Sequence, residues 1–228
     1  MFTLYQTYVI SFIHLSDDRN RVFLDVIMGF RTFLFGLIVM AAPSLVFALE
    51  PLEAVQLNVE NGIRVLEDPQ YQDDSRRPEQ QELLWEIMQQ TYDFREFSRR
   101  VLGSHWYKFS TRQRDEFVKI FSEFLGKFYL GKLQDRYNGQ KISFLSQQMV
   151  GSSRAVVEIE VSWKKLKIPL TLRVTNRSGQ WKVYDLSALG INAVSNYRAQ
   201  FKSILRKETP RQIIARLKKK IADLDGKS

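Results

Sequence analysis

Apolar and polar positions change period along this chain. Leu52, Val55, Val59, Ile63 and Leu66 recur at helical spacing, and Pro51 suits a first helical position, so one amphipathic helix is predicted up to Asp68-Pro69. Gln70 to Pro78 is a polar connector. Leu83, Leu84, Ile87 and Met88, then Phe94, Phe97, Val101 and Leu102, predict two more helical stretches closed by Gly103. Ser110 with Gln113 is a capping-box pair that opens a long helix. One face of it carries Phe117, Ile120, Phe121, Phe124, Leu125, Phe128, Tyr129, Leu133 and Tyr137 before Asn138-Gly139 ends it. A Phe-rich face of this kind is more often ordinary core than the wall of a ligand site.

From residue 142 the period becomes two. Ala155, Val157, Ile159, Val161 and Trp163 alternate with Arg154, Val156, Glu158, Glu160 and Ser162, and Leu166, Ile168, Leu170, Leu172 and Val174 alternate with Lys167, Pro169, Thr171, Arg173 and Thr175. Each strand therefore has one dry face. Asn176 to Gln180 reads as a hairpin loop leading into Trp181 to Leu186, and Ile142 to Val150 supplies a fourth strand. Short connections make the sheet antiparallel. Two helices follow, Ala193 to Leu205 capped by Asn192, and Pro210 to Leu224 opened by Thr209-Pro210. Helices, then strands, then helices indicate an α+β domain with a curved four-stranded antiparallel sheet packed against helices. The space between the aromatic helix and the dry face of the sheet is the candidate cavity.

Composition narrows the chemistry. The 228 residues include no Cys and only two His, His14 and His105. Thiolate nucleophiles, Cys-ligated zinc and a His-rich metal site are excluded. His105 sits at a helix junction, where packing or capping is its expected role, and no G-x-S-x-G, G-x-G-x-x-G or P-loop occurs. Glu158 and Glu160 fall on the wet face of a strand. No catalytic residue and no metal ligand is therefore assigned.

The 34 Lys and Arg against 25 Asp and Glu give a net charge of +9. Residues 198–228 concentrate that charge, and Arg206, Lys207, Arg211, Lys218, Lys219 and Lys220 are the candidate docking cations for an acidic partner surface or anionic lipid. A soluble helix face accounts for the same pattern. At the other end, Phe33 to Ala42 is an apolar run after Arg31, and Val46-Phe47-Ala48 fits cleavage after Ala48, so residues 28–48 read as a secretory signal. An uncleaved anchor is the alternative, since Thr32 to Leu49 is uncharged. Asp17, Asp18 and Asp25 are foreign to a signal, which makes Met28 the expected start and residues 1–27 an upstream extension. An exported chain without Cys suits the bacterial periplasm. Residues 49–228 then form a single domain with basic C-terminal helices.

Trp181-Lys182-Val183-Tyr184-Asp185, Gly190-Ile191-Asn192 and Asn196 to Phe201 resemble the signature of the MlaC family, the periplasmic toluene-tolerance phospholipid carriers. Phe97, Leu102-Gly103, Trp106, Ser110, Gln113-Arg114, Phe117, Phe121, Tyr129, Leu133 and Tyr137 follow the same family's helical pattern, over about residues 50–224. Ala188-Leu189 departs from it where the family often carries an acidic residue. The resemblance implies an NTF2-like core with added N- and C-terminal helices and an apolar cavity for a glycerophospholipid as cargo, with no cofactor. It also implies a monomer that shuttles between an outer-membrane lipoprotein–porin complex and an inner-membrane MCE-domain ABC transporter, without nucleic acid. The expected lipid-contacting residues are Phe97, Val101, Trp106, Phe117, Phe121, Phe124 and Phe128 from the helices, and Val157, Ile159, Val161, Leu170, Leu172 and Val174 from the strands. Two alternatives stand beside it: a small-molecule enzyme using Asp185 or Tyr184 as acid–base groups in the same pocket, and a secreted adaptor with a solid core.

Overall fold

The computed structural model describes residues 49–226, so the expected signal segment, the cut after Ala48 and the start at Met28 lie outside the described residues. Six helices and five strands follow one another: α1 Pro51–Glu67, α2 Arg77–Thr91, α3 Phe94–Leu102, α4 Thr111–Arg136, β1 Lys141–Met149, β2 Arg154–Trp163, β3 Leu166–Arg177, β4 Gln180–Ala188, β5 Ile191–Asn192, α5 Ala193–Lys207 and α6 Pro210–Asp225. Local chemistry sets the starts of the longer elements. The Ser110 hydroxyl accepts from the Gln113 amide and the Gln113 side chain accepts from the Ser110 amide, closing the capping box of α4. Thr209 and Gln212 repeat the device at α6, and Asn192 caps α5 through the Ser195 amide. Among the described residues no helix is long and apolar enough to cross a membrane.

The sheet is antiparallel in the order β1-β2-β3-β4-β5. It has five strands rather than the four expected from sequence. β5 is only Ile191–Asn192, too short to leave a period of its own. Ser178 and Gly179, both at positive φ, make the two-residue turn between β3 and β4, the geometry that matches strand twist.

The dry face of the sheet has the expected phase at its centre. Ala155, Val157, Ile159, Leu172 and Val174 are buried together with Val55 of α1, while Leu52, Val59 and Leu170 pack around them. The phase fails at the tip of the β2–β3 hairpin. Trp163 and Leu166, expected to face inward, are 40% and 62% exposed, because neither belongs to the apolar cluster that α1 covers. On the wet face Glu158 accepts from the Thr171 hydroxyl and Glu160 pairs with Lys167 at 3.0 Å, a solvated cross-strand row as expected.

A second core lies among the helices. Phe117 and Phe121 of α4 are fully buried against Phe97, Val101, Tyr197, Phe201 and the apolar face of α6. Their rings meet at 5.3 Å between centroids, and Phe201 closes on them at 5.9 and 5.5 Å, separations typical of favourable aromatic packing. The aromatic stripe of α4 therefore packs against α5 and α6 instead of against the sheet. Sequence periodicity identifies an apolar face but carries no information about which neighbour covers it.

Candidate functional site

A pocket of about 700 Å³ opens in the seam between the two cores, within the range of ligand-binding cavities. α2 contributes Leu84, Ile87 and Met88, α3 contributes Phe94 and Phe97, and the remaining walls come from α4, β4, the start of α5 and Gly62 of α1. Its depth runs along one stripe of α4. Leu125, Tyr129, Lys132, Leu133 and Arg136 all line it, and their spacing places them on a single helical face. Leu125 and Leu130 are buried, whereas Tyr129 and Leu133 are 44% and 43% exposed. The stripe thus starts at buried, apolar Leu125 and opens to solvent toward the C-terminus of α4, where Lys132, Leu133 and Arg136 are exposed.

Irregularities in β4 aim the wall. Arg173 pairs with Asp185 and Val174 with Val183, so Tyr184 is an extra residue in the ladder. Such a bulge re-aims neighbouring side chains, and Val183, Tyr184 and Asp185 are consecutively buried. At the same point the Asp93 amide donates to the Val183 carbonyl at 2.8 Å, pinning the α2–α3 elbow to β4. The elbow is braced further by Glu96, whose carboxylate pairs with Arg99, Arg100 and Arg177 at 2.7, 2.8 and 3.1 Å. Burial alone would raise the Glu96 carboxyl, but the hydrogen bonds from Arg99 and Arg100 outweigh it and hold the group below its usual range.

Three polar groups of the pocket, Asp185, Tyr129 and Tyr197, are committed to structure. Asp185 accepts from the Leu186 amide at 2.9 Å, the Val194 amide at 3.2 Å and the Asn192 side chain at 2.6 Å, fastening β5 and the start of α5 to β4. Both of its oxygens are occupied by donors of the same scaffold. Tyr184 does not line the pocket; the Arg100 guanidinium lies 4.3 Å from its ring centroid. The hydroxyls of Tyr129 and Tyr197 meet at 3.0 Å, and burial, with that hydrogen bond second, pushes the Tyr197 hydroxyl above its ordinary value. His105 lies in the short turn Gly103–Lys108, outside the pocket. Among the described residues no group of three or more His, Asp or Glu is arranged to hold a metal ion.

Of the expected lipid-contacting residues, Phe97 lines the pocket. Val101, Trp106, Phe117 and Phe121 are buried in the helical core with Phe124 packed against it, and Phe128 is half-buried beside them. Val157, Ile159, Leu172 and Val174 lie in the sheet core, Leu170 packs onto it, and Val161 is half-buried on β2. The pocket thus lies in the seam, while the dry face of the sheet packs against α1. The apolar positions of α2 and the Leu125–Leu133 stripe were visible in sequence as helical faces, without a sign that they face each other. Gly62, in mid-helix on α1, lines the pocket, and a Cβ built on it meets nothing within 4 Å. The expected docking cations Arg206, Lys207, Arg211, Lys218, Lys219 and Lys220 are all exposed, with Lys218 paired to Glu116 at 2.7 Å. None of them lines the pocket.

Comparison with known proteins gives three findings. Residues 56–219 match the family model described as MlaC protein. Over 114 residues the chain is 30% identical to the intermembrane phospholipid transport system binding protein MlaC of Haemophilus influenzae, an alignment covering 48% of this chain and 53% of that protein. The chain thus spans about half the length of the curated relative it matches. Among solved structures it is similar to a phospholipid-binding protein from Ralstonia solanacearum in complex with a phospholipid, with a TM-score of 0.67 and 20% identity, covering 78% of this chain and 99% of the other. That likeness shows the fold.

Proposed function

The chain belongs to the MlaC protein family, and from that premise we propose that it is a periplasmic carrier that holds one glycerophospholipid in the seam pocket. The observation that carries this reading is the shape and lining of the pocket. From Leu125 to Arg136 the α4 stripe runs about 16 Å at the helical rise, and half of a bilayer hydrocarbon core is about 15 Å. The stripe is buried at one end and open at the other, as a site for acyl tails with a solvent-facing head group requires. At about 0.8 kcal/mol per CH₂, two long tails represent roughly 20 kcal/mol of transfer free energy. Escape through water is then very slow, and exchange needs contact with another lipid-binding surface.

The apolar run before Ala48 supports export, and the exposed cations of α5 and α6 support docking on acidic surfaces of membrane complexes, an outer-membrane lipoprotein–porin assembly and an inner-membrane MCE-domain transporter. Binding energy alone suffices for such a role, without acid–base chemistry in the pocket. Native mass spectrometry of the protein purified from the periplasm, with extraction of what it carries, tests the proposal. A mass increment equal to glycerophospholipid is expected. A bare chain with no extractable lipid overturns the carrier reading.

A further inference from the structure

Two cations stand at the open end of the pocket with no acidic partner. Lys132 and Arg136 are one helical turn apart on α4, both line the pocket, and both are exposed. Neither forms an ion pair with a carboxylate among the described residues. The nearby acids are already engaged: Asp135 with Arg77, Glu67 with the Tyr137 hydroxyl, and Asp185 with its three donors. Lys132 is held in place, its Nζ lying 3.5 Å from the centroid of the Phe128 ring. Resting on the carrier reading, we infer that Lys132 and Arg136 form the site for the phosphodiester of the bound glycerophospholipid, leaving the rest of its head group in water.

The electrostatics favour this assignment. The C-terminal end of α4 carries the negative pole of the helix, which alone repels an anion. The two cations reverse that field, and their hydrogen-bond donors suit phosphate oxygens. Because they address the group common to all glycerophospholipids, phosphatidylethanolamine and phosphatidylglycerol should load alike, while a lipid with the same tails and no phosphate should load less.

The test offers the protein phosphatidylcholine vesicles carrying equal minor amounts of isotope-labelled phosphatidylglycerol and diacylglycerol with matched tails, and counts each in the recovered protein by mass spectrometry. Wild type is expected to favour the phospholipid, and less so as salt is added. The double variant Lys132→Gln, Arg136→Gln is expected to lose that preference by about tenfold, with diacylglycerol uptake unchanged and no dependence on salt. Arg112→Gln with Lys119→Gln, an equal charge change on exposed positions of α4 outside the pocket, should behave as wild type. A Lys132 and Arg136 variant that keeps the wild-type ratio, or loses both lipids equally, overturns the phosphate site and leaves the carrier reading standing. Wild type that takes up neither lipid overturns the carrier reading and the site with it. Millimolar inorganic phosphate should leave bound lipid in place; displacement by it would show a free-anion site and overturn the proposal.

Discussion

Filling the pocket from Gly62 should raise stability and lower lipid loading together. Gly62 lies inside α1 and lines the pocket, and a Cβ added there meets no atom within 4 Å. Gly62→Phe removes a helix-interior glycine, worth about 0.5 kcal/mol, and buries part of a ring whose full burial is worth about 1.5–3 kcal/mol. A net gain of about 2 kcal/mol would raise Tm by roughly 4–8 °C in a domain of this size. The same ring takes the place of about three lipid methylenes, which at about 0.8 kcal/mol each weakens loading roughly fiftyfold. Gly131→Phe is the matched control, since a Cβ on Gly131 also meets nothing within 4 Å but this residue does not line the pocket. Thermal unfolding of the delipidated variants, free of the stabilisation that bound lipid itself supplies, and lipid extraction from the protein as purified give both quantities. A Gly62→Phe protein that is stabilised yet fully loaded would show that the tails lie elsewhere, and one that is destabilised would show that the space beside Gly62 is not open.

Three further outcomes follow from the geometry. Val157→Glu and Leu172→Glu bury a carboxylate in the sheet core and should each cost several kcal/mol in urea unfolding, on the order of 3, whereas Thr171→Val on the wet face should cost less than about 1; equal effects would mean that the strand phase is wrong. Tyr137 is pushed up to about 12 by burial and by its hydrogen bond to Glu67, so its contribution is complete below pH 10 and lost as pH rises toward 12. Urea titrations across that window should show a steeper alkaline loss in wild type than in Tyr137→Phe, and identical slopes would remove this tyrosine from the account. Reversing the charges of Arg206, Lys207, Arg211, Lys219 and Lys220 should slow lipid exchange with partner complexes at low salt without emptying the pocket, a result contradicted if copurified lipid is lost.

How much of this could be read from sequence depends on the range of the interaction. Ser110 with Gln113 and Thr209-Pro210 with Gln212 mark helix starts because capping is settled within four residues. Val157 and Leu172 show their inward phase because alternation is local to the strand. Trp163 and Leu166 continue the same alternation but sit where the cluster under α1 has ended, so their pattern misleads. Phe117 and Leu125 are equally apolar on α4, yet one meets Phe201 and the other faces the pocket. That division is made by where α5 and α6 return to the helical layer, after the sheet has intervened, and no short-range signal encodes it. The bulge at Tyr184 that aims Asp185 is likewise a property of pairing with β3.

The most direct test of the seam pocket as the lipid site is photocrosslinking with a phospholipid that carries a diazirine at the end of one acyl tail, followed by peptide mapping. The adducts expected are on Leu84, Met88, Leu125 and Leu130, the deep walls of the pocket. Adducts on Val157 and Leu172, or confined to exposed positions of α5 and α6, would contradict the account.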